Sequence, residues 1–199
     1  MSDMNRREAV QTLAVATALA WTPREIERAR RLTDFEEQQG QGHPAFKPKF
    51  FNAHEYATVT MLADMIIPRD QHSGSASDAG VPPFMDFMMT DGPNPDRQTA
   101  MQGGLAWLDE ECVTRFGKRF ILCTEANRKT VLDDIAWPAK ARPEMTAGVQ
   151  FFNRFRDLTA SGFYSSRMGV QDLKYLGNQV VHEWKGCPEE QLRKLGVSY

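Results

Sequence analysis

Apolar residues recur at helical spacing in five stretches of the chain, with Pro, Gly, Ser and Asp clustered between them. The clearest pattern covers residues 50–89. Asn52 is a good N-cap residue, and Glu55 three positions later completes a capping box. Tyr56, Val59, Met61, Leu62, Met65 and Ile66 then mark one apolar face, and Pro68 ends the helix because it lacks an N–H. Residues 69–79 are polar and predict an exposed loop. Pro82 and Pro83 suit the first turn of a second helix that carries Phe84, Met85, Phe87, Met88 and Met89. A third helix is expected over 98–116. Leu105, Leu108, Cys112, Val113 and Phe116 face inward, Asp109, Glu110 and Glu111 face solvent, and Trp107 sits off the main stripe. Gly117 reads as its C-cap. Thr124 caps a fourth helix with Val131, Leu132 and Ile135 inward and Pro138 at its end. A fifth, over 149–162, carries Phe151, Phe152, Phe155 and Leu158, with Arg154, Arg156 and Asp157 on its polar side. A short helix over 170–176 follows. The fold class is therefore mostly α: one compact helical domain of about five to six helices, with an extended N-terminal arm and an irregular C-terminal tail.

The amino terminus changes this picture. Arg6 and Arg7 precede a short apolar run, 13–21, and Ala18-Leu19-Ala20 resembles a cleavage site. These are the three parts of an export signal, and twin arginines belong to the twin-arginine (Tat) route for folded cargo. The run is too short to span a bilayer. The surrounding residues, Asn5 to Gln11, depart from the usual Tat box, and an ordinary amphipathic N-terminal helix is the other reading of the same stretch. The chain thus divides into a leader at 1–22, a linker arm at 23–49, a helical domain at 50–188 and a tail at 189–199. Residues 24–31 are a mixed-charge helix candidate within the arm. The G-x-G-x-x-A match at 40–45 lacks the strand before it and the helix after it, so it carries no dinucleotide site.

Composition adds mainly exclusions. With 24 basic and 26 acidic residues, the net charge of −2 argues against broad capture of nucleic acid. His43, His54, His72 and His182 have no ligand spacing, and HExxH, CxxCH, GxSxG and P-loop patterns are missing. Asp133 and Asp134 are neighbours on a helix and point apart, so they read as a solvated face. Met85, Met88 and Met89 read as adaptable core filling. Cys112, Cys123 and Cys187 are too widely spaced for a structural zinc site. The residues themselves yield no active site, cofactor site or metal site.

The order of several short motifs goes further. They are Phe50-Phe51-Asn52-Ala53-His54-Glu55, Leu62-Ala63-Asp64-Met65-Ile66-Ile67-Pro68 and Ala79-Gly80-Val81-Pro82. Then come Gly104-Leu105-Ala106-Trp107-Leu108-Asp109, Phe116-Gly117-Lys118, Phe151-Phe152, Gly162-Phe163-Tyr164-Ser165 and Trp184-Lys185-Gly186-Cys187-Pro188. With the leader, this series resembles the gluconate 2-dehydrogenase subunit 3 family, the small subunit of flavin-dependent sugar and sugar-acid dehydrogenases. The resemblance implies a division of labour. A large FAD-dependent flavoprotein of the glucose–methanol–choline (GMC) type oxidises gluconate, glucose or a glycoside, and electrons usually leave through a cytochrome c haem on a further subunit. The small subunit has no redox centre. It binds the large one, helps it mature, and through Arg6 and Arg7 takes it to the periplasm as a folded hitchhiker. Membrane association then comes only through the complex.

Within that reading Tyr164, Trp184 and Cys187 are the partner-binding candidates, with Trp184 as an aromatic anchor. Cys187 lies in a polar tail. It bonds to a cysteine of the large subunit, pairs internally with Cys123, or stays an inert thiol. Two rival classes remain: an enzyme in its own right, and a stand-alone helical binding or stress-response module. Activity of the isolated chain with an artificial electron acceptor discriminates the first. Indifference of a stable monomer to any flavoprotein discriminates the second.

Overall fold

Asn52 starts the structure as its chemistry requires. Its side chain accepts the N–H groups of His54 and Glu55, and Glu55 reaches back to the N–H of Asn52. The helix that follows, α1, covers Ala53–Ile66. The structure is a computed structural model and describes residues 46–91, 94–175 and 186–198. After α1 come α2 (Val81–Thr90), α3 (Pro95–Phe116), a 3-10 turn (Phe120–Leu122) and α4 (Glu125–Ala136). A second 3-10 turn (Pro143–Met145) leads into α5 (Thr146–Tyr164), α6 (Arg167–Asp172) and α7 (Glu189–Leu195). Seven α-helices and no strand occur among the described residues, so the mostly α class holds.

The hub is α5 rather than the α1–α2 pair that the apolar pattern favours. It packs on α1, α2, α3, α4 and α6. Its longest partner, α3, meets it through a reciprocal exchange of rings and glycines. A Cβ built on Gly104 would sink into the Phe151 ring, and one built on Gly148 would sink into the Trp107 indole. Gly104 and Trp107 lie one turn apart on α3, as Gly148 and Phe151 do on α5. The pairing runs antiparallel, and each helix offers one ring and one gap. Gly162 repeats the device against Phe84 of α2, 2.9 Å from where its Cβ would stand. Phe84, Trp107, Phe120, Phe155 and Phe163 are fully buried around these crossings. Rings of this size contribute the largest apolar areas of the core.

Several expectations are corrected here. Trp107, expected off the stripe, is at 0% exposure, because the stripe of α3 is wide enough to meet α5 on one flank. Glu111 is buried beside Arg115 instead of facing solvent, whereas Val113 is exposed. The loop at 69–79 is folded back: Ser75, Ala76 and Ala79 are buried, and Ala76 N–H bonds to Ile67 C=O. α3 begins at Pro95 under an Asn94 cap, α5 begins at Thr146, and the short helix ends at Asp172. The tail, expected irregular, contains α7, whose acidic first turn and basic last turn suit the helix dipole. Its Lys194–Glu190 pair lies four residues apart along the helix. The leader, residues 23–45 of the arm, and Trp184 lie outside the described residues.

Candidate functional site

The ionisable side chains come first, since any chemistry would need them. Asp86, only 2% exposed on α2, accepts the backbone N–H groups of Lys49, Phe50 and Phe51 at 2.9, 3.0 and 3.1 Å. It thereby ties the end of the arm to the core. Beside it, burial and then the Asp86 charge push the Tyr56 phenol up to about 12. Asp64 of α1 takes both the N–H and the hydroxyl of Ser77, at 2.7 and 2.8 Å, and so holds the 69–79 loop down. Asp78 accepts from Ser75 N–H, the Ser75 hydroxyl and Arg69, which hold its carboxyl below the ordinary value. Asp70 caps the turn at His72 and Ser73, and their N–H groups lower it in the same way.

A second set lies between α1, α3 and α4. His54 Nε2 donates to Asp109 at 2.5 Å, and the other oxygen of Asp109 accepts the N–H of Phe120 at 3.0 Å. Three elements meet there: α1, α3 and the 3-10 turn. Arg115 binds buried Glu111 and Asp134, both at 2.7 Å, and Arg142 continues the chain to Glu144. Burial pulls the Arg115 guanidinium down, but hydrogen bonds to Asp134 and Glu111 outweigh it and hold its affinity for a proton above normal. Asp134 is thus part of a network, while Asp133 alone is the solvated neighbour. Among the described residues no group of three His, Cys, Asp or Glu is placed to hold a metal. Asp64, Asp78, Asp86, Asp109 and Glu111 are fold clasps, and Asp70 caps a turn. His54 is hydrogen-bonded, as its sequence context indicates.

Surfaces are the remaining resource. Tyr164, at the end of α5, is 44% exposed, and its ring meets buried Phe163 edge-on at 5.2 Å. The Gly162-Phe163-Tyr164-Ser165 motif therefore splits into two packing residues, one presented ring and one helix terminator. Gly169 brings α6 against the Phe163 carbonyl and the Tyr164 backbone, where any side chain would collide. Leu173 and Tyr175 follow at the same end, 59% and 60% exposed. Periodicity missed both. It extended the helix through 176, whereas α6 stops at Asp172 and turns these residues outward. Elsewhere Leu122 and Trp137 flank α4 and are exposed, with the Lys140 ammonium 6.0 Å from the Trp137 ring. A shallow depression of about 480 Å³ runs along α1, lined by Ala57, Thr60, Met61, Asp64 and Met65.

Of the predicted site residues the structure describes Tyr164 and Cys187, which sit at different elements. Tyr164 belongs to the exposed end just described. Cys187 is half-buried just ahead of α7. Arg6, Arg7 and Trp184 lie outside the described residues. No helix among the described residues is long and apolar enough to cross a membrane.

No curated protein and no solved structure matches the chain. A family model, described as gluconate 2-dehydrogenase subunit 3, matches residues 53–183, a span from the first residue of α1 to beyond α6 that takes in the Gly104, Gly148 and Gly162 crossings. The chain belongs to the gluconate 2-dehydrogenase subunit 3 family.

Proposed function

We propose that this chain is the non-catalytic small subunit of an FAD-dependent sugar dehydrogenase of the GMC type. It binds the large flavoprotein, supports its maturation, and carries it through the Tat route to the periplasm on Arg6 and Arg7. A cytochrome c subunit receives the electrons. The observation that carries the reading is family membership combined with the disposition of the side chains. Asp64, Asp78, Asp86, Asp109 and Glu111 are engaged in holding the fold, while Tyr164, Leu173 and Tyr175 present apolar surface at one end. Exposed aromatic residues are the usual anchors of a protein interface. Cys187, half-buried ahead of α7, supplies a thiol for a bond to the large subunit.

Co-expression tests this directly. A GMC-type flavoprotein from the same organism is purified with and without this chain, and bound FAD is measured by absorbance. Flavin loading and soluble yield rise with the chain present. Equal loading without it contradicts the maturation role, and sugar oxidation by the isolated chain overturns the non-catalytic reading. For export, Arg6→Lys with Arg7→Lys leaves both subunits in the cytoplasm. Unchanged periplasmic dehydrogenase activity on fractionation counts against the hitchhiker route.

A further inference from the structure

The first helix is apolar on more than the face it buries. Thr58, Val59, Leu62 and Ala63 are the buried residues of α1. Ala57, Thr60, Met61 and Met65 lie on its other side, along the shallow depression of about 480 Å³. Asp64 is the charged residue of that lining, and both its oxygens are taken by Ser77. A surface helix normally turns a charged face to water, whereas one that is apolar all round is covered on both sides. From His54 onward every residue of α1 is buried or half-buried.

The chain reaches this depression from its N-terminal side. The Phe46 ring stacks on Tyr56 with centroids 5.6 Å apart. Tyr56 stands one turn before Thr60, whose hydroxyl donates to the Tyr56 carbonyl. The N–H bonds to Asp86 fix residues 49–51, so whatever precedes Phe46 starts at the lip of the depression.

We propose that residues 23–37 of the arm pack along α1 as an amphipathic helix and that Ile26, Ala29 and Leu32 cover Met61 and Met65. The arm has the sequence for it. Thr22, Pro23 and Glu25 stand as N-cap, first-turn proline and capping-box acid. Ile26, Ala29 and Leu32 recur every three residues and share one flank of such a helix, with Arg and Glu residues among them. The joint has the length. Residues 38–45 carry Gly40, Gly42 and Pro44, and fully extended they span at most about 29 Å. With 14 residues α1 is about 21 Å long, so the arm can start at either end of it. A segment tethered at the lip also outcompetes a second copy or a separate protein through its high effective concentration. Docked in this way, the arm gives the leader ahead of it a fixed point of departure on the domain.

Full-length chain carrying Met61→p-benzoylphenylalanine is irradiated over a dilution series and digested for mass spectrometry. The expected product is a cross-link within one chain, from position 61 to residues 23–37, in a yield that dilution does not change. A second measurement follows methionine oxidation by hydrogen peroxide in the parent and in Ile26→Asp with Leu32→Asp. Met61 and Met65 oxidise about tenfold faster in the variant, as expected for losing buried aliphatic contacts, while Met85 and Met89 in the core keep their rates. The cross-link is made with the arm unaltered, so it decides even where the double variant loses its fold. Three results overturn the proposal: no cross-link to residues 23–37, cross-links only between copies or to added flavoprotein, or unchanged Met61 and Met65 oxidation in the double variant.

Discussion

Replacing Gly104 by Ala pits two effects of opposite sign against each other. In a helix interior Ala is favoured over Gly by about 1 kcal/mol, so propensity alone predicts a more stable protein. The packing predicts the reverse. The new Cβ would stand 2.6 Å from Phe151 Cε2 and closer still to Cγ and Cδ2, under the 3.0 Å that real Cβ contacts respect. The ring has nowhere to go: Phe151 is 3% exposed and its centroid lies 5.6 Å from that of Phe155. Nor can α3 simply retreat, because Trp107 one turn later is lodged on Gly148, with its Cζ2 2.7 Å from where that Cβ would lie and its Cη2 and Cζ3 closer still. Overpacking of this kind costs about 3 kcal/mol at the upper end of the usual range. Subtracting the propensity gain leaves a net loss of roughly 2 kcal/mol, which lowers Tm by about 4–8 °C for a chain of this size.

Urea unfolding followed by far-ultraviolet circular dichroism measures the loss. A double-mutant cycle with Phe151→Leu assigns it. Phe151→Leu is expected to cost less in the Gly104→Ala background than in the parent, with a coupling above about 0.5 kcal/mol. If Gly104→Ala is as stable as the parent or more so, propensity has won and the reciprocal fit of α3 and α5 is not what fixes their separation.

Asp86→Ala strands three backbone N–H groups, one of them fully buried, so a loss of about 3 kcal/mol is expected, with new protease cleavage near residues 46–52; an unchanged digest argues that the arm is held otherwise. Asp78 has a depressed carboxyl pKa, so its clasp is complete above the ordinary carboxylate value of about 3.9 and is lost only as pH falls through the lower folded value. A carbon-detected NMR titration of Asp78 at the unperturbed position refutes this. Tyr164→Arg with Tyr175→Arg leaves Tm unchanged, since both are exposed, but weakens binding to the purified flavoprotein by roughly 30-fold, about 2 kcal/mol. Equal affinity moves the interface elsewhere.

The fold was legible wherever one residue type has one local use. Asn52, Thr124 and Gly117 cap helices because of their own chemistry, and Pro82 opens α2 because a missing N–H costs nothing there. Helix faces were legible only where one partner covers them. Trp107 and Glu111 fall outside a single stripe because α3 is covered on several sides, by α1, α4 and α5. The 69–79 loop misled through composition. Its Ser and Asp residues look solvated, yet Asp64 and Asp78 satisfy the backbone of the turn and let Ser75, Ala76 and Ala79 go inside. Of the candidate surface, Tyr164 was marked by its motif. Leu173 and Tyr175 were not, since an apolar residue just past a helix end looks like one more turn of that helix.

The same clasps bear on why a subunit of this family needs a rigid helical body. A protein partner must meet a surface whose parts keep their spacing, and a helix end fixes a side chain only if its helix cannot slide. α5 is fixed in register at three points, Gly148 on Trp107, Phe151 on Gly104 and Gly162 on Phe84. A slip by one residue would set a Cβ against a ring at the Gly148 and Gly162 crossings, so the cost of sliding rises with each of them. Tyr164 stands two residues beyond the last of these, and Gly169 locks α6 onto the same terminus. The exposed end of the hub helix is thus anchored by Gly162 against Phe84 and by Gly169 against Phe163. That is where an interface residue loses least conformational freedom on binding, and so returns most of its contact energy as affinity.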